Sequence, residues 1–474
     1  MRFRGSLIGL AMLASFTAAA WEHHPLFTRP VVSTMPEIAG GSPAMATTLE
    51  QFLTEEEAGL AALLAEEEAW ARANLPWYAP RPDALAFQST GTPEDIRARF
   101  LKAIRVNPNT KTPLYVSPLE EVSDPAKCQL DPGEVSILGD ISNLTIFVFE
   151  GVEPGDLVNP VDIVAAASNE PDYGMDIGLF EDNGTAFGKD YGFGIQAFGN
   201  PGLDYGSQAP FHMGFYHESK IVFLFASFLK ESYPEYRIHL FKSLSEFAFS
   251  EGQDYWGWRF LGWGLHYLGD LSMPYHTTAL PGYGTLRMLW INLLDIIGWS
   301  KPKDDAVQIS SNRHVALETF EGIILADATR LTDTQDVTLA ALLQARTLPQ
   351  YSDTLPRNLL SKVSYSMSGK LDKAIGKYMP AHFVSDPSVE LGDLPERYQI
   401  IEMMEAEHGA EAVAEIEQLQ ADALTSFAIY GRSFAAAVLN PEKKAVAAPE
   451  EAAAPYAGLA AMFISFIERV LQPY

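Results

Sequence analysis

Cysteine is almost absent from this sequence. Cys128 is the only cysteine among 474 residues, so no disulfide can form within the chain. Hydrophobic residues make up 47% of the composition, and a chain of this length can bury a large core as one big domain or two smaller ones. We therefore expect the fold to be held by that core, by bound metal, or by both.

Basic residues are also scarce. The chain has 33 Lys and Arg against 61 Asp and Glu, for a net charge of −28. Such a surface repels polyanions and lacks the cations that neutralise phosphates in non-specific nucleic-acid binding. We expect no stable nucleic-acid binding, although a phosphate can still bind where metal ions set the local charge.

Long hydrophobic runs are confined to the first twenty residues. MRFRGSLIGLAMLASFTAAA has Arg2 and Arg4, then an apolar stretch, then small residues up to Ala20. This pattern is typical of a secretory signal peptide, and cleavage would leave Trp21 as the mature N-terminus. No later run reaches the roughly 18 residues that span a bilayer, so we expect a secreted or periplasmic protein without a transmembrane segment.

Apolar residues recur at helical spacing along most of the remaining chain. The pattern predicts a mainly α fold with one large domain over residues 21–440, then a linker and a C-terminal amphipathic helix over 441–474. Proline, glycine and asparagine are frequent around 104–210, which favours a loop-rich, partly β insertion that includes the strand-like LTIFVFE at 144–150. Helices are predicted at 49–75, 217–231, 238–250 and 255–272, with one long or two shorter helices at 395–440.

The stretch HYLGDLSMPYH places two histidines and an aspartate close together. His266 and Asp270 lie four residues apart, on one face of the predicted helix, and Pro274 marks its end just before His276. A lone histidine on such a helix is more often an ordinary core residue. The combination of histidine and carboxylate at this spacing instead favours a metal site.

Matching pieces occur elsewhere in the chain. SNRHVALETF places His314 and Glu318 four residues apart on one helical face. The further candidates are His212 in APFH, Asp172 and Asp176 in PDYGMD, and Trp21, His23 and His24 in WEHHPLF. Together with HYLGDLSMPYH, these pieces use five or six of only ten histidines, which is unusual for a protein without a metal site.

A histidine, three residues, an aspartate, five residues and a histidine form a pattern that resembles the central signature of the zinc-dependent phospholipase C and P1 nuclease superfamily. HYLGDLSMPYH repeats that signature without a gap, and an H-x-x-x-[DE] pair follows downstream as it does in the family. The family also uses a mature N-terminal tryptophan, which the expected cleavage before Trp21 would expose. The resemblance, closer to the phospholipase C branch, implies a multi-helical fold with three zinc ions.

The resemblance further implies how the ligands divide among the three ions, with Asp270 shared by two of them. Grouped by ion, the implied ligands are Asp172, His212, His266 and Asp270; then His276, His314 and Glu318; then the amine and carbonyl of Trp21 with His24 and Asp270.

Two of these positions keep an alternative. His24 is favoured over His23 because HPLF resembles the family's histidine before an apolar helix start. Asp176 remains the alternative to Asp172.

The activity that the resemblance implies is hydrolysis of phosphatidylcholine-like phospholipids to diacylglycerol and a phosphorylated headgroup by a metal-activated hydroxide. Asp172 would orient or deprotonate the water. Tyr173 resembles a tyrosine that holds the choline group, and its alternative is an ordinary loop aromatic. The other functions considered are a P1-type single-strand nuclease and a non-enzymatic acidic binding protein with structural zinc.

The stretch at residues 285–299 has an amphipathic pattern. On a helical wheel, Leu286, Trp290 and Leu293 share an apolar face with Leu289, Leu294, Ile296 and Ile297. Because metal-ligand candidates flank the stretch, one interpretation is transient contact with a membrane surface. The other is a helix packed on the core.

Overall fold

Helices dominate the protein, which confirms the predicted mainly α class. The computed structural model describes residues 23–118, 128–141, 144, 147–202 and 204–441. The predicted signal peptide at 1–20, Trp21 and, from residue 442 on, the predicted C-terminal linker and helix lie outside this range.

The first half of the described chain contains short helices and all four of its strands. The strands pair as two antiparallel ribbons, β1 with β4 and β2 with β3. The bounds are α1 His24–Ser33, α2 Pro36–Ala39, β1 Ala44–Met45, α3 Leu49–Glu55, α4 Glu57–Asn74, α5 Ile96–Ala103, β2 Tyr115–Val116, α6 Pro132–Val135, β3 Glu150–Gly151, β4 Leu157–Val158, α7 Pro160–Ala167, α8 Gly188–Tyr191 and α9 Asp204–His212.

The second half is built from longer helices. The region predicted as one or two helices at 395–440 forms two, which Gly409 separates at a φ of 78°. The bounds are α10 Lys220–Phe225, α11 Pro234–Ser250, α12 Asp254–Ser272, α13 Pro274–Thr277, α14 Thr285–Ile296, α15 Lys301–Arg330, α16 Val337–Leu343, α17 Ser361–Tyr378, α18 Ala381–Val384, α19 Ile400–His408 and α20 Ala410–Leu439.

The strand predicted at 144–150 is largely missing. Of the described residues in that stretch, only Glu150 lies in a strand, as the first residue of β3. Phe149 packs its ring against Tyr115 and Tyr173 instead. The apolar side chains that suggested a longer strand therefore fill a small core between β2, β3 and the turn that contains Tyr173.

The core forms around α12. Every residue of this helix from Tyr255 to Ser272 is buried, and α7, α11 and α20 pack against it. Because α12 has no face in contact with water, it lies in the centre of the domain, and its polar residues Arg259, His266 and Asp270 are buried with it. The residues of the central motif therefore lie deep in the protein.

Glycine allows α7 to approach α12 closely. A Cβ at Gly262 would lie 2.6 Å from Ala167 Cβ and 2.7 Å from the Val164 carbonyl oxygen. The first atom is the Cβ of an α7 residue and the second is a backbone oxygen of α7, so neither can rotate away. The contact between the two helices depends on the missing side chain.

We expect Gly262→Ala to destabilise the protein by about 1–3 kcal/mol, because overpacking forces the two helices apart. Thermal unfolding followed by circular dichroism measures the effect. Gly369→Ala in α17 is the control, since a Cβ there meets nothing within 4 Å, and it should be neutral or stabilising. Equal melting temperatures for both variants would contradict the close-approach argument.

Within the described ranges, each helix is either too short or too polar to cross a lipid bilayer.

Candidate metal centre

Three structural elements bring the four candidate ligands of the first group together. His266 and Asp270 lie one turn apart on α12, His212 ends α9, and Asp172 lies in a 3-10 turn at Glu170–Tyr173. His212 Nδ1 lies 2.9 Å from Asp270 Oδ2 and 3.1 Å from His266 Nε2. Asp172 Oδ1 lies 3.7 Å from both of these imidazole nitrogens. All four side chains are buried.

The turn that contains Asp172 is fixed to α12 by a buried ion pair. Arg259 donates two hydrogen bonds to Glu170, at 3.0 and 2.8 Å, and the Trp263 indole donates a third at 2.6 Å. Bidentate arginine–carboxylate pairs constrain orientation as well as distance. The position of Asp172 is therefore set by its neighbour in sequence, which is anchored two turns before His266.

His24 joins the group from α1. Its Nε2 lies 3.8 Å from Asp172 Oδ2 and 3.8 Å from Asp270 Oδ1, and its ring stacks on His266 at 3.9 Å. Each carboxylate thus turns one oxygen to His212 and His266 and the other to His24. A Cβ at Gly269 would lie 3.0 Å from the His24 ring, so the glycine of HYLGD makes room for this histidine.

A second group forms where α13 meets α15. His276 Nε2 lies 3.0 Å from His314 Nε2, and Glu318 Oε1 lies 2.8 Å from His314 Nε2 and 3.8 Å from His276 Nε2. The His314 ring stacks on Tyr275, which fixes its orientation. His276 Nδ1 lies 3.1 Å from Asp270 Oδ1, so this carboxylate connects the two groups.

These side chains form buried groups that could hold metal ions. Burial lowers the pKa of His266 to about 4 and that of His314 to about 3, and it also lowers the pKa values of His24 and His276. Neutral imidazole is the form that binds a metal.

His266 is further prepared for binding by its backbone partner. Its Nδ1 lies 2.9 Å from the Ser168 carbonyl oxygen, which can only accept a hydrogen bond. The proton therefore sits on Nδ1, and Nε2 presents its lone pair to the group.

His212 differs from the other imidazoles. Burial lowers its pKa, but Asp270, Asp176 and Asp172 outweigh burial and raise the pKa to about 10. In the absence of a metal ion His212 is therefore the cation that balances these carboxylates. A bound metal would take over that charge and leave His212 neutral.

Asp176 lies behind His212 rather than in the group. Its Oδ1 accepts two hydrogen bonds from Arg237, at 3.0 and 2.6 Å, and its Oδ2 accepts one from Tyr267 at 2.6 Å. His212 Nε2 lies 3.5 Å from the same Oδ2, on the ring side opposite to Nδ1. Asp172 thus lies among the ligand candidates, and Asp176 supports the imidazole.

We expect Asp176→Asn to weaken metal binding by about 10- to 100-fold, the usual effect of removing a carboxylate behind a ligating histidine. A metal titration against a competing chelator measures this. Asp190→Asn, an exposed position on α8, is the control. The same metal affinity in both variants would show that Asp176 does not support His212.

The remaining predicted residues lie as follows. His23 packs on Gly322 and lines a cavity of about 310 Å³, outside the ligand groups. Tyr173 is buried against Phe149, and its hydroxyl accepts a hydrogen bond from Asn169 at 3.0 Å, so contact with choline stays a prediction. Trp21 lies outside the described residues.

Several supporting residues had no signal in the sequence. Gln208 donates a hydrogen bond to Asp172 Oδ1 at 3.3 Å, and Arg237 reaches Asp176 from 61 positions away. Glu170 acts through Arg259 and Trp263, as described above. Gln208, Glu170 and Trp263 lie within four residues of a ligand candidate in sequence, and none of these residue types stands out there.

The comparisons with known proteins identify no relative. No protein-family model, no curated protein and no solved structure matches the chain.

Proposed function

We propose that this chain is an exported zinc-dependent phospholipase C of the multi-helical fold that the sequence resembles. The proposal depends on one observation above all. Eight side chains predicted as ligands from short motifs converge from six separate elements into adjoining buried groups. In a helical protein without a metal site, burying five imidazoles and three carboxylates together would be unfavourable, because unpaired charge away from water costs free energy.

The donor distances fit zinc. Zinc holds nitrogen and oxygen at about 2.0–2.2 Å, so two ligands of a tetrahedral site lie about 3.3–3.6 Å apart. In the first group, the histidine donors of His212 and His266 lie 2.9 to 3.7 Å from each other and from the oxygens of Asp172 and Asp270. Those of His276, His314 and Glu318 lie 2.8 to 3.8 Å apart.

The second group offers only three protein donors, which favours catalysis over a purely structural role. Three protein donors in the second group match catalytic zinc sites, which keep their fourth position for water or substrate. His24 lies beside the second oxygens of Asp172 and Asp270, so these carboxylates would bridge to a third ion completed by the Trp21 amine and carbonyl.

Zinc bound at such groups lowers the pKa of a coordinated water to about 7 and stabilises charge on the phosphodiester oxygens. Asp172 would orient that water or accept its proton, and Gln208 holds the carboxylate through Oδ1. Each of three imidazoles would be held in position by one partner: Asp176 for His212, the Ser168 carbonyl for His266, and Asp270 for His276. Cleavage would release diacylglycerol and the phosphorylated headgroup.

Charge favours a phospholipid over single-stranded nucleic acid. The chain carries −28, or −30 once Arg2 and Arg4 leave with the expected signal peptide, and a polyanion would meet this charge before it reached any site. A zwitterionic lipid headgroup carries no such penalty.

Metal analysis combined with parallel activity assays tests the proposal. We expect the processed protein to contain zinc, to hydrolyse phosphatidylcholine, to lose this activity to a chelator and to recover it when zinc is restored. Faster release of nucleotides from single-stranded RNA would instead identify a P1-type nuclease. Full zinc content with neither activity would support a binding protein with structural zinc.

A further inference from the structure

An apolar surface remains exposed on two neighbouring helices, α10 and α14. We call it the α10–α14 surface and define it as Leu224, Phe225, Leu286, Trp290, Leu293, Ile296, Ile297 and Trp299. Leu286 is 76%, Ile297 70% and Trp290 60% exposed. Large exposed apolar patches on soluble domains mark interaction sites.

The exposure is not a sign that α14 lacks a core contact. Met288 and Ile291 are buried in a second core cluster with Val222 and Leu229, and Leu294 is buried as well. The helix therefore has two apolar faces, one packed and one in water. Of the two interpretations of residues 285–299, core packing accounts for the first face only.

The charge of these two segments is opposite to that of the chain. Residues 220–231 and 285–296 contain Lys220, Lys230 and Arg287 against Glu231 and Asp295, which gives 3 − 2 = +1 in a protein of net charge −28. Asp295 is in turn paired with Lys303 at 2.6 Å. A basic apolar surface on an acidic protein is complementary to an anionic partner.

Tryptophan is concentrated at the same surface. Among the described residues, the three exposed tryptophans are Trp77, Trp290 and Trp299. The Lys230 ammonium lies 5.2 Å from the centre of the Trp77 ring and 4.9 Å from that of Phe223 on α10, which joins Trp77 to the surface. Tryptophan prefers the boundary between lipid headgroups and acyl chains, whereas a protein partner would require no such bias.

We infer that the α10–α14 surface docks on a lipid bilayer that contains anionic lipid. The apolar side chains insert between the headgroups, and the lysines and the arginine contact lipid phosphates. α14 begins nine residues after His276, and α15, which packs on α14, carries His314 and Glu318. The inference itself depends on the surface and not on the proposed activity.

Co-sedimentation of the processed, metal-loaded protein with vesicles tests this inference. The vesicles contain phosphatidylcholine and phosphatidylglycerol in equal amounts. We expect binding that weakens with added salt, and a loss of at least about tenfold in partitioning for Trp290→Glu combined with Ile297→Glu. Both positions are exposed, so the variant should fold. Leu157→Glu, an equally exposed position on β4, is the control and should bind normally.

Hydrolysis of a monomeric short-chain phosphatidylcholine separates this inference from the proposed function. The double variant should hydrolyse that substrate as the wild type does, because it needs no docking. Vesicle binding without any hydrolysis would uphold the surface and refute the phospholipase. Absence of vesicle binding, or sedimentation as a dimer that the double variant abolishes, would overturn the inference.

Discussion

Replacing Asp270 with asparagine should remove two of three zinc ions and reduce phosphatidylcholine hydrolysis by at least about 1000-fold. Asp270 Oδ2 lies 2.9 Å from His212 Nδ1, and Oδ1 lies 3.8 Å from His24 Nε2, so one carboxylate serves two groups. Asparagine keeps one oxygen and replaces the other with an amide that cannot bind a cation. Zinc content per chain and initial rates measure the two effects.

The matched control lies on the same helix. Asp254 begins α12 and is exposed, so Asp254→Asn makes the same chemical change sixteen positions from the site. It should keep its zinc and its activity. An Asp270→Asn protein that still holds three zinc ions per chain would refute the assignment of Asp270 as a bridge, whatever its activity.

Glu318→Gln should have a smaller and more local effect. It removes the only carboxylate of the second group, whose other donors are His276 and His314. We expect the loss of one zinc ion, with the first group still filled, and a reduction in hydrolysis of about 100-fold. Zinc content together with initial rates distinguishes this result from the broader loss expected at Asp270.

Glu321→Gln is a close control for this variant. Glu321 lies one turn further along α15 and is also buried, but burial and the nearby Glu318 raise its pKa well above the ordinary value. Glutamine there makes the same chemical change outside the groups that could hold a metal ion. Loss of zinc in both variants, or in neither, would contradict the assignment of Glu318.

The local part of the site could be predicted from the sequence. His266 and Asp270 share a helical face because α12 has regular periodicity, and the same argument holds for His314 and Glu318 on α15. Each pair depends only on a helix being present. The mainly α class was predictable for the same reason.

The choice between Asp172 and Asp176 could not be made in this way. Both lie in one short stretch, and what separates them is Arg237, which comes from α11 and pairs with Asp176. Likewise, His24 reaches the group because Gly269 leaves space for its ring on α12. Such contacts between distant segments are set by packing, and the spacing of residues in the sequence does not predict them.

The two faces of α14 illustrate a related limit. A helical wheel places Leu294 with Trp290 and Leu293 on one apolar face, yet Leu294 is buried and the other two are exposed. The wheel gives the width of the apolar face but not which part of it a neighbour covers. Part of the cover for α14 is the second core cluster, which includes Met288 and Ile291 and is assembled from residues 198–229 and 279–307.

The complete burial of α12 means that the scaffold and two candidate metal ligands share one piece of the chain. A substitution that loosens the packing around Gly262 or Trp263 would also shift the two donors further along the same helix. Improvement of heat tolerance and retention of metal binding would then compete at these positions. Directed evolution of this protein should accumulate its tolerated changes at the periphery and leave the central helix almost untouched.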